Sequence, residues 1–130
     1  MGKKFKILIT EDEAVTCLYY KKFFNTKNEF QILKMASTGE QAIEIAKKDN
    51  PDFILMDINL ASELDGIETA KIIKTNQDIP IIFITGYDEK ATLQKAQEVH
   101  PVGYFIKPVR LSEVFRLIEE TLAKSHPVDI

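Results

Sequence analysis

Short apolar runs alternate with longer amphipathic segments along nearly the whole chain of 130 residues. Unbroken apolar runs with β-branched residues are typical of buried strands, and apolar residues spaced three or four apart are typical of helices. The sequence therefore predicts five strands and five helices in alternation. The predicted strands cover residues 5–10, 30–36, 53–56, 81–84 and 102–106. The predicted helices cover residues 13–26, 66–75, 89–99 and 111–124, with one more between a cap at Ser37 or Thr38 and a stop at Asn50-Pro51.

Strands that alternate with helices, strand first, predict right-handed crossovers and a three-layer α/β domain. The runs at 53–56 and 81–84 are apolar without a break, which is typical of central strands covered on both faces. Gln31 and Lys34 interrupt the second run, as expected for an edge strand. The first helix has apolar residues near helical spacing, which we expect to face the core. These are Val15, Leu18, Tyr19 and Phe23.

Polar side chains follow four of the predicted strands, at the point where each strand ends. They are Glu11 with Asp12 after the first, Asp57 after the third, Thr85 at the end of the fourth and Lys107 after the fifth. In an open parallel sheet, sites form outside the carboxyl ends of the strands, where the strand order reverses. We therefore expect one acidic pocket with a lysine and a hydroxyl on its rim.

Composition narrows the class of protein. The length predicts one domain, residues 1–125, followed by a tail at 126–130. A net charge of −3 provides no basic field for nucleic acid, and no apolar stretch approaches the roughly 20 residues of a membrane span. Cys17 is the only cysteine, which favours a reducing compartment. The start of the chain has no apolar signal segment, so we expect a cytoplasmic protein.

Five short motifs together resemble the receiver domain of two-component response regulators. In chain order they are Ile-Leu-Ile-Thr-Glu-Asp-Glu at 7–13, Met-Asp-Ile-Asn at 56–59, Asp-Gly-Ile-Glu at 65–68, Ile-Thr-Gly at 84–86 and Gly-Tyr-Phe-Ile-Lys-Pro at 103–108. The resemblance implies a flavodoxin-like, doubly wound sheet of five parallel strands in the order 2-1-3-4-5. The loop after Asp57 departs from the usual pattern, because it is one residue longer and lacks its proline.

Several carboxylates close together favour a bound divalent cation, and oxygen ligands favour a hard ion such as Mg²⁺, with Mn²⁺ as the alternative. The resemblance implies that Asp12, Asp57 and the backbone carbonyl of Asn59 ligate the ion, and that Glu11 acts through water. A carboxylate oxygen can attack phosphorus to form an acyl phosphate, so Asp57 is the predicted phosphoacceptor. Lys107 is predicted to neutralise the charge of the phosphoryl group.

The resemblance also implies how phosphorylation is read. Thr85 would hydrogen-bond a phosphoryl oxygen, Tyr104 would turn inward as Thr85 moves, and the Lys107-Pro108 peptide bond would be cis. Asn59 and Tyr87 each lie two positions after a site residue, and we predict that they tune the lifetime of the acyl phosphate.

The predicted function is a phosphorylation-dependent switch, which catalyses only its own phosphorylation and dephosphorylation. Its expected partners are a sensor histidine kinase or phosphotransfer protein, and an output protein or a second copy of itself. The output would bind the surface formed by the fourth helix, fifth strand and last helix. Alternatives are a phosphatase with an aspartate nucleophile, a flavin or nucleotide module, and a purely structural domain. Asn59 disfavours the first, because a second carboxylate is often needed there, and the absence of a glycine-rich loop disfavours the second.

Overall fold

Strands and helices alternate through the computed structural model, which describes residues 4–60, 62–86 and 90–125. The strands are β1 (Phe5–Thr10), β2 (Phe30–Ile32), β3 (Phe53–Met56), β4 (Ile81–Thr85) and β5 (Gly103–Ile106). The helices are α1 (Ala14–Phe24), α2 (Gly39–Asp49), α3 (Gly66–Asn76), α4 (Lys90–Gln97) and α5 (Leu111–Ser125). Among these described helices, none combines the length and the hydropathy that a membrane-spanning segment needs. The predicted tail at 126–130 lies outside the described residues.

The five strands form one sheet in the order β2-β1-β3-β4-β5, and every neighbouring pair is parallel. This confirms the predicted strand order and fold class. All residues of β3 and β4 are buried, as their unbroken apolar sequences predict. The order reverses between β1 and β3, so the carboxyl ends of these two strands flank the crevice where α/β sheets place their sites.

Two apolar layers cover the two faces of the sheet. Alternate residues of a strand point to opposite faces, so Leu8 joins one layer while Ile7 and Ile9 join the other. The first layer lies under α2, α3 and α4, and the second lies under α1 and α5. Helices on both faces of the sheet produce the predicted three-layer architecture.

The buried face of α1 differs from the prediction. Val15, Leu18 and Tyr19 are 81%, 55% and 50% exposed, whereas Tyr20 and Phe24 are buried. Phe24 packs edge-on against Phe30 and lies near Phe115 of α5, and these aromatic contacts fix the rotation of the helix. Because α1 carries apolar residues on more than one side, its spacing alone could not show which side faces the sheet.

The second strand is shorter than predicted. It covers Phe30–Ile32, and the chain then rejoins the sheet through an isolated bridge between Ala36 and Thr10. The prediction of one strand over 30–36 was therefore wrong in its extent. An edge strand has a neighbour on one side only, so irregularity there costs few hydrogen bonds.

The caps of α2 follow the sequence signals. Thr38 Oγ1 accepts a hydrogen bond from Gln41 N at 3.1 Å, and Gln41 Oε1 accepts one from Ser37 N at 2.8 Å. The helix ends at Asn50, which adopts a left-handed conformation with φ 46°. Asparagine tolerates this conformation better than most residues, so Asn50 turns the chain toward β3.

Candidate functional site

The acidic pocket lies where β1 and β3 end side by side. Thr10 and Met56 pair in register at these ends, and Asp57 N donates to Thr10 O at 3.0 Å. The next residues of each strand are therefore brought together. Glu11, Asp12 and Asp57 each offer a carboxylate oxygen, and these atoms lie within 4.8 Å of one another. The predicted convergence of these three acids at one edge of the sheet is present in the structure.

Lys107 reaches the same pocket from the end of β5. Its Nζ donates to Glu11 Oε1 at 2.9 Å and to Asp57 Oδ2 at 3.1 Å. Both carboxylates are almost fully buried, while the lysine side chain is about a quarter exposed. One ammonium thus offsets two buried carboxylates, and charge-assisted hydrogen bonds of this kind are stronger than neutral ones.

The remaining carboxylate oxygens are held by backbone N–H groups. Asp57 Oδ1 accepts from Asn59 N at 3.1 Å, and Glu11 Oε2 accepts from Glu13 N at 3.1 Å. Glu13 is the N-cap residue of α1 and its own side chain makes no capping bond, so Glu11 satisfies a donor at this helix start. Each of the two buried carboxylates is thereby fixed through both of its oxygens.

The charges in the pocket shift two pKa values. Burial raises the pKa of Glu11 to about 7, and the negative charge of Asp57 adds to this effect, while Lys107 and the N–H of Glu13 oppose it. Burial alone would lower the pKa of Lys107, but its hydrogen bonds to Glu11 and Asp57 outweigh burial and raise that pKa. Lys107 therefore stays protonated at neutral pH, and Glu11 exchanges its proton near neutrality.

The donor set suits a hard divalent cation. Three carboxylates converge beside a cleft of about 440 Å³, which is also lined by Asn59, Gly86 and Lys107. Asp12 is exposed and Asp57 lies at the floor of this open cleft, so an ion could keep several waters, as Mg²⁺ prefers. Oxygen ligands without sulfur or imidazole favour Mg²⁺ or Mn²⁺ over softer metals. The residues present thus fit the ion that the sequence predicts.

Thr85 and Tyr104 lie on the face of the sheet that α4 covers. Phe83 pairs with Tyr104 and Thr85 pairs with Ile106, so Thr85 and Tyr104 point to the same side of neighbouring strands. Thr85 is fully buried, and its carbonyl accepts from Lys107 N at 2.8 Å. Tyr104 is half-buried with its ring 6.4 Å from that of Phe83. Thr85 is therefore connected to the pocket through Lys107, while Tyr104 lies on the same face of the neighbouring strand.

Of two further predicted features, the structure describes the Lys107-Pro108 peptide bond but not Tyr87. The peptide bond between Lys107 and Pro108 is cis. Tyr87, predicted to tune the acyl phosphate with Asn59, lies outside the described residues. Asn59 itself is exposed beside the pocket and lines the cleft.

Comparison with known families identifies the chain. A family model described as the response regulator receiver domain matches residues 7–119, which is most of the sequence. The chain belongs to the response regulator receiver family. Receiver domains of two-component response regulators are phosphoacceptors rather than conventional enzymes, and they generally bind Mg²⁺. Membership of this family is consistent with phosphorylation-dependent switching.

Curated relatives of this receiver domain differ in length. It is 31% identical over 118 residues to sporulation initiation phosphotransferase F of Bacillus subtilis, covering 90% of this chain and 93% of that protein. It is 26% identical over 119 residues to the transcriptional regulatory protein PdtaR of Mycobacterium tuberculosis, covering 92% of this chain but 57% of PdtaR. The chain thus spans little more than half the length of some relatives and nearly all of another.

Solved structures share the fold of this receiver domain. The signal receiver domain of a modulated diguanylate cyclase from Desulfovibrio desulfuricans superposes with a TM-score of 0.86 at 34% identity, covering 94% of this chain and 96% of that one. A CheY-like receiver domain protein from Methanospirillum hungatei has the same TM-score at 20% identity, which supports the fold alone.

One residue that supports the receiver site was not given a role by sequence reasoning. A Cβ atom at Gly66 would lie 2.1 Å from Asp57 O and 2.7 Å from Ile58 Cα, so only glycine lets α3 begin directly against the end of β3. Asp65 caps the same helix, since its side chain accepts from Glu68 N while Glu68 accepts from Asp65 N. The signal was present, because an aspartate before glycine with glutamate three residues on is a helix start.

Proposed function

We propose that this receiver domain accepts a phosphoryl group on Asp57 from the phosphohistidine of a sensor histidine kinase or phosphotransfer protein. The single observation that supports this most is the arrangement around Asp57. One carboxylate oxygen bonds Lys107 and the other bonds the N–H of Asn59, beside two more acids in an open cleft. The carboxylate of Asp57 is held in one orientation, and the ammonium of Lys107 lies beside it, where it would offset the negative charge of the incoming phosphoryl group.

The proposed transfer is a displacement at phosphorus. A carboxylate oxygen of Asp57 forms a bond to phosphorus while the bond from phosphorus to the imidazole nitrogen breaks, and that nitrogen keeps the electron pair. Mg²⁺ or Mn²⁺, held by Asp12, Asp57 and the carbonyl of Asn59 and by Glu11 through water, would supply positive charge against the phosphoryl oxygens. Lys107 stays protonated and balances part of the same charge.

The proposed response involves Thr85 and Tyr104. The Thr85 hydroxyl would bond a phosphoryl oxygen, and Tyr104 would move inward on the face that α4 covers. Thr85 is joined to the pocket by its carbonyl bond from Lys107 N, which supports this route. The altered surface of α4, β5 and α5 would then control an output partner or pair with a second copy. Asn59 and Tyr87 would set how fast water removes the phosphoryl group as inorganic phosphate.

Incubation with a small phosphoryl donor such as acetyl phosphate, with and without Mg²⁺, tests the central step. Intact mass should show one added phosphoryl group only with Mg²⁺, because the ion offsets the pocket's charge. The adduct should be absent in Asp57→Asn and present in Asp78→Asn, a matched change at an exposed aspartate. An adduct on Asp57→Asn would refute Asp57 as the acceptor. Repeated turnover of phosphate esters would instead favour the phosphatase alternative.

Hydrogen exchange tests the switch separately. Amide exchange in α4 and β5 should change on phosphorylation of the wild type and should change less in Thr85→Ala, although that variant still takes up phosphate. Thr75→Ala on α3, whose hydroxyl bonds only Lys71 O in the described structure at 2.8 Å, is the control. A full response in phosphorylated Thr85→Ala would contradict the role proposed for Thr85.

A further inference from the structure

The loop between β3 and α3 carries the backbone group that orients the acceptor. Asn59 N donates to Asp57 Oδ1 at 3.1 Å, so the position of Asn59 controls the direction of that carboxylate. This loop is the segment that departs in length from the usual receiver pattern. What holds it in place therefore bears directly on the geometry of the site.

The base of the loop is closed by one carbonyl. Ile58 O accepts from Leu60 N at 3.1 Å and from Gly66 N at 2.8 Å, which joins the two ends of the loop. The side chains of Ile58 and Leu60 are both buried in the layer under α2 and α3. Asn59 is therefore exposed between two anchored neighbours.

Ser62 connects the part of the loop before α3 to α2. Its Oγ donates to Leu64 O at 2.7 Å and accepts from Gly39 N at 3.3 Å. Gly39 is the first residue of α2, where backbone N–H groups have no partner within the helix. The hydroxyl thus uses its donor and an acceptor lone pair at once, which alanine cannot reproduce.

The contact between the loop and α2 has little slack. A Cβ atom at Gly39 would lie 2.1 Å from Thr69 Oγ1 and 3.0 Å from Leu64 Cβ. Thr69 is fully buried, and its hydroxyl donates to Asp65 O at 2.7 Å. The start of α2, the loop and the first turn of α3 therefore pack as one unit, in which Ser62 supplies a polar connection.

We propose that Ser62 is a positioning residue for the phosphorylation site. It touches neither the acceptor nor the ion. Through Leu64 and Gly39 it holds the loop on α2, which keeps the backbone of Asn59 aligned with Asp57 and with the cation. This inference rests on the proposed function, since it concerns the same site.

The experiment compares Mg²⁺ binding to unphosphorylated wild type, Ser62→Ala, Ser62→Thr and Ser37→Ala by calorimetry. Ser37 is the matched control, because its exposed hydroxyl bonds Gln41 Oε1 at 3.0 Å at the same start of α2 without touching the loop. Loss of one hydroxyl connection should weaken the Kd for Mg²⁺ by about fivefold in Ser62→Ala. Ser62→Thr, which keeps the hydroxyl, and Ser37→Ala should both bind Mg²⁺ with the wild-type Kd.

The outcomes separate the two proposals. If wild type and Ser62→Ala bind Mg²⁺ equally, Ser62 has no positioning role, although the proposed function stands. If wild type binds no Mg²⁺, the proposed function fails and the role of Ser62 fails with it. If Ser62→Thr binds Mg²⁺ as weakly as Ser62→Ala, the proposal is also overturned, because threonine keeps the hydroxyl that should hold the loop. Faster amide exchange at Asn59 and Leu60 in Ser62→Ala, but not in Ser37→Ala, provides a readout independent of the metal.

Discussion

Behind Asp57 the chain is packed without room for one extra carbon, whereas Gly86, directly after Thr85, borders open space. A Cβ atom at Gly66 would lie 2.1 Å from Asp57 O, yet one at Gly86, directly after Thr85, would meet nothing within 4 Å. Both segments follow central strands of the same sheet. The difference between them therefore does not come from where the strands lie in the sheet.

The two helices that follow these strands show the same contrast. Helix α3 has 11 residues, a capping box and a buried stripe of Ile67, Ala70 and Ile73. Helix α4, over the residues that the structure describes, buries Ala96. Glu98, the residue directly after α4, forms an ion pair with Lys71 of α3, but both side chains are more than half exposed, so this pair contributes little. Helix α4 is the more weakly attached element.

This contrast fits the division of roles in a switch. The phosphoacceptor role proposed for Asp57 needs a carboxylate held in one direction, and tight packing behind Asp57 provides that. An element that reports the event needs a position that costs little free energy to change, and elements with few buried contacts open at low cost. Lys107 connects the two segments, since its Nζ donates to Asp57 and its backbone N donates to the carbonyl of Thr85.

The largest expected change in the free energy of unfolding comes from adding a methyl group at Gly66, with the same change at Gly86 as the comparison. Gly66→Ala should lower the free energy of unfolding by at least about 3 kcal/mol, because the atoms it would strike are backbone that cannot move aside. Gly86→Ala, the control, should change it by less than about 0.5 kcal/mol. Urea denaturation measures both. Similar losses in the two variants would remove the contrast described above.

Truncation of one apolar side chain on each helix sharpens the comparison. Ile73 is 2% exposed on α3, and Ile73→Ala should cost about 3 kcal/mol of unfolding free energy. Leu93 is half-buried on α4, and Leu93→Ala should cost only about 1 kcal/mol. Amide exchange of α4 should accelerate in Leu93→Ala while that of α3 does not. A larger loss from Leu93→Ala would show that α4 is the firmer helix.

The raised pKa of Glu11 makes the free energy of unfolding depend on pH. Burial raises this pKa from 4.5 to about 7, so between these values the folded protein binds a proton that the unfolded chain has released. The stabilisation is complete below pH 4.5 and is lost as the pH rises through 7, by roughly 3 kcal/mol. Denaturation of wild type and Glu11→Gln across this range measures it.

Glu11→Gln should lack this part of the pH dependence, since glutamine does not titrate. The affinity for Mg²⁺ should rise over the same pH range in wild type, because the ion competes with the proton. If the unfolding free energies of wild type and Glu11→Gln change with pH in the same way, Glu11 is not the group with the raised pKa.

The smallest effect concerns the ion pair that links the two helices. Lys71→Ala should change the unfolding free energy by less than about 0.5 kcal/mol, because both partners are exposed. Phosphorylation of Asp57 should proceed at the wild-type rate, while exchange in the last turn of α4 becomes slightly faster. Lys95→Ala on α4 is a control for loss of a lysine alone. A slower phosphorylation of Lys71→Ala would mean that α4 constrains the acceptor.

Several parts of the molecule were predictable because local sequence dictates them. The unbroken apolar runs of β3 and β4 had to be buried on both faces, and the caps at Thr38 and Asn50 follow from residue type. Other parts were not predictable. Helix α1 has apolar residues on more than one side, and only its packing against Phe30 and Phe115 decides that Val15, Leu18 and Tyr19 are exposed. The end of β2 depends likewise on its pairing with β1.

The sequence by itself determined the order of the elements and the α/β fold class, and it predicted which polar residues stand at the strand ends, because hydrophobic periodicity and polar residues after apolar runs are local properties. The tertiary structure decided how those residues are held. The bonds from Lys107 to Glu11 and Asp57 join positions 96 and 50 residues apart, and the bond from Ser62 to Gly39 spans 23. Such contacts form only when the sheet brings distant segments together, so no local pattern reveals them.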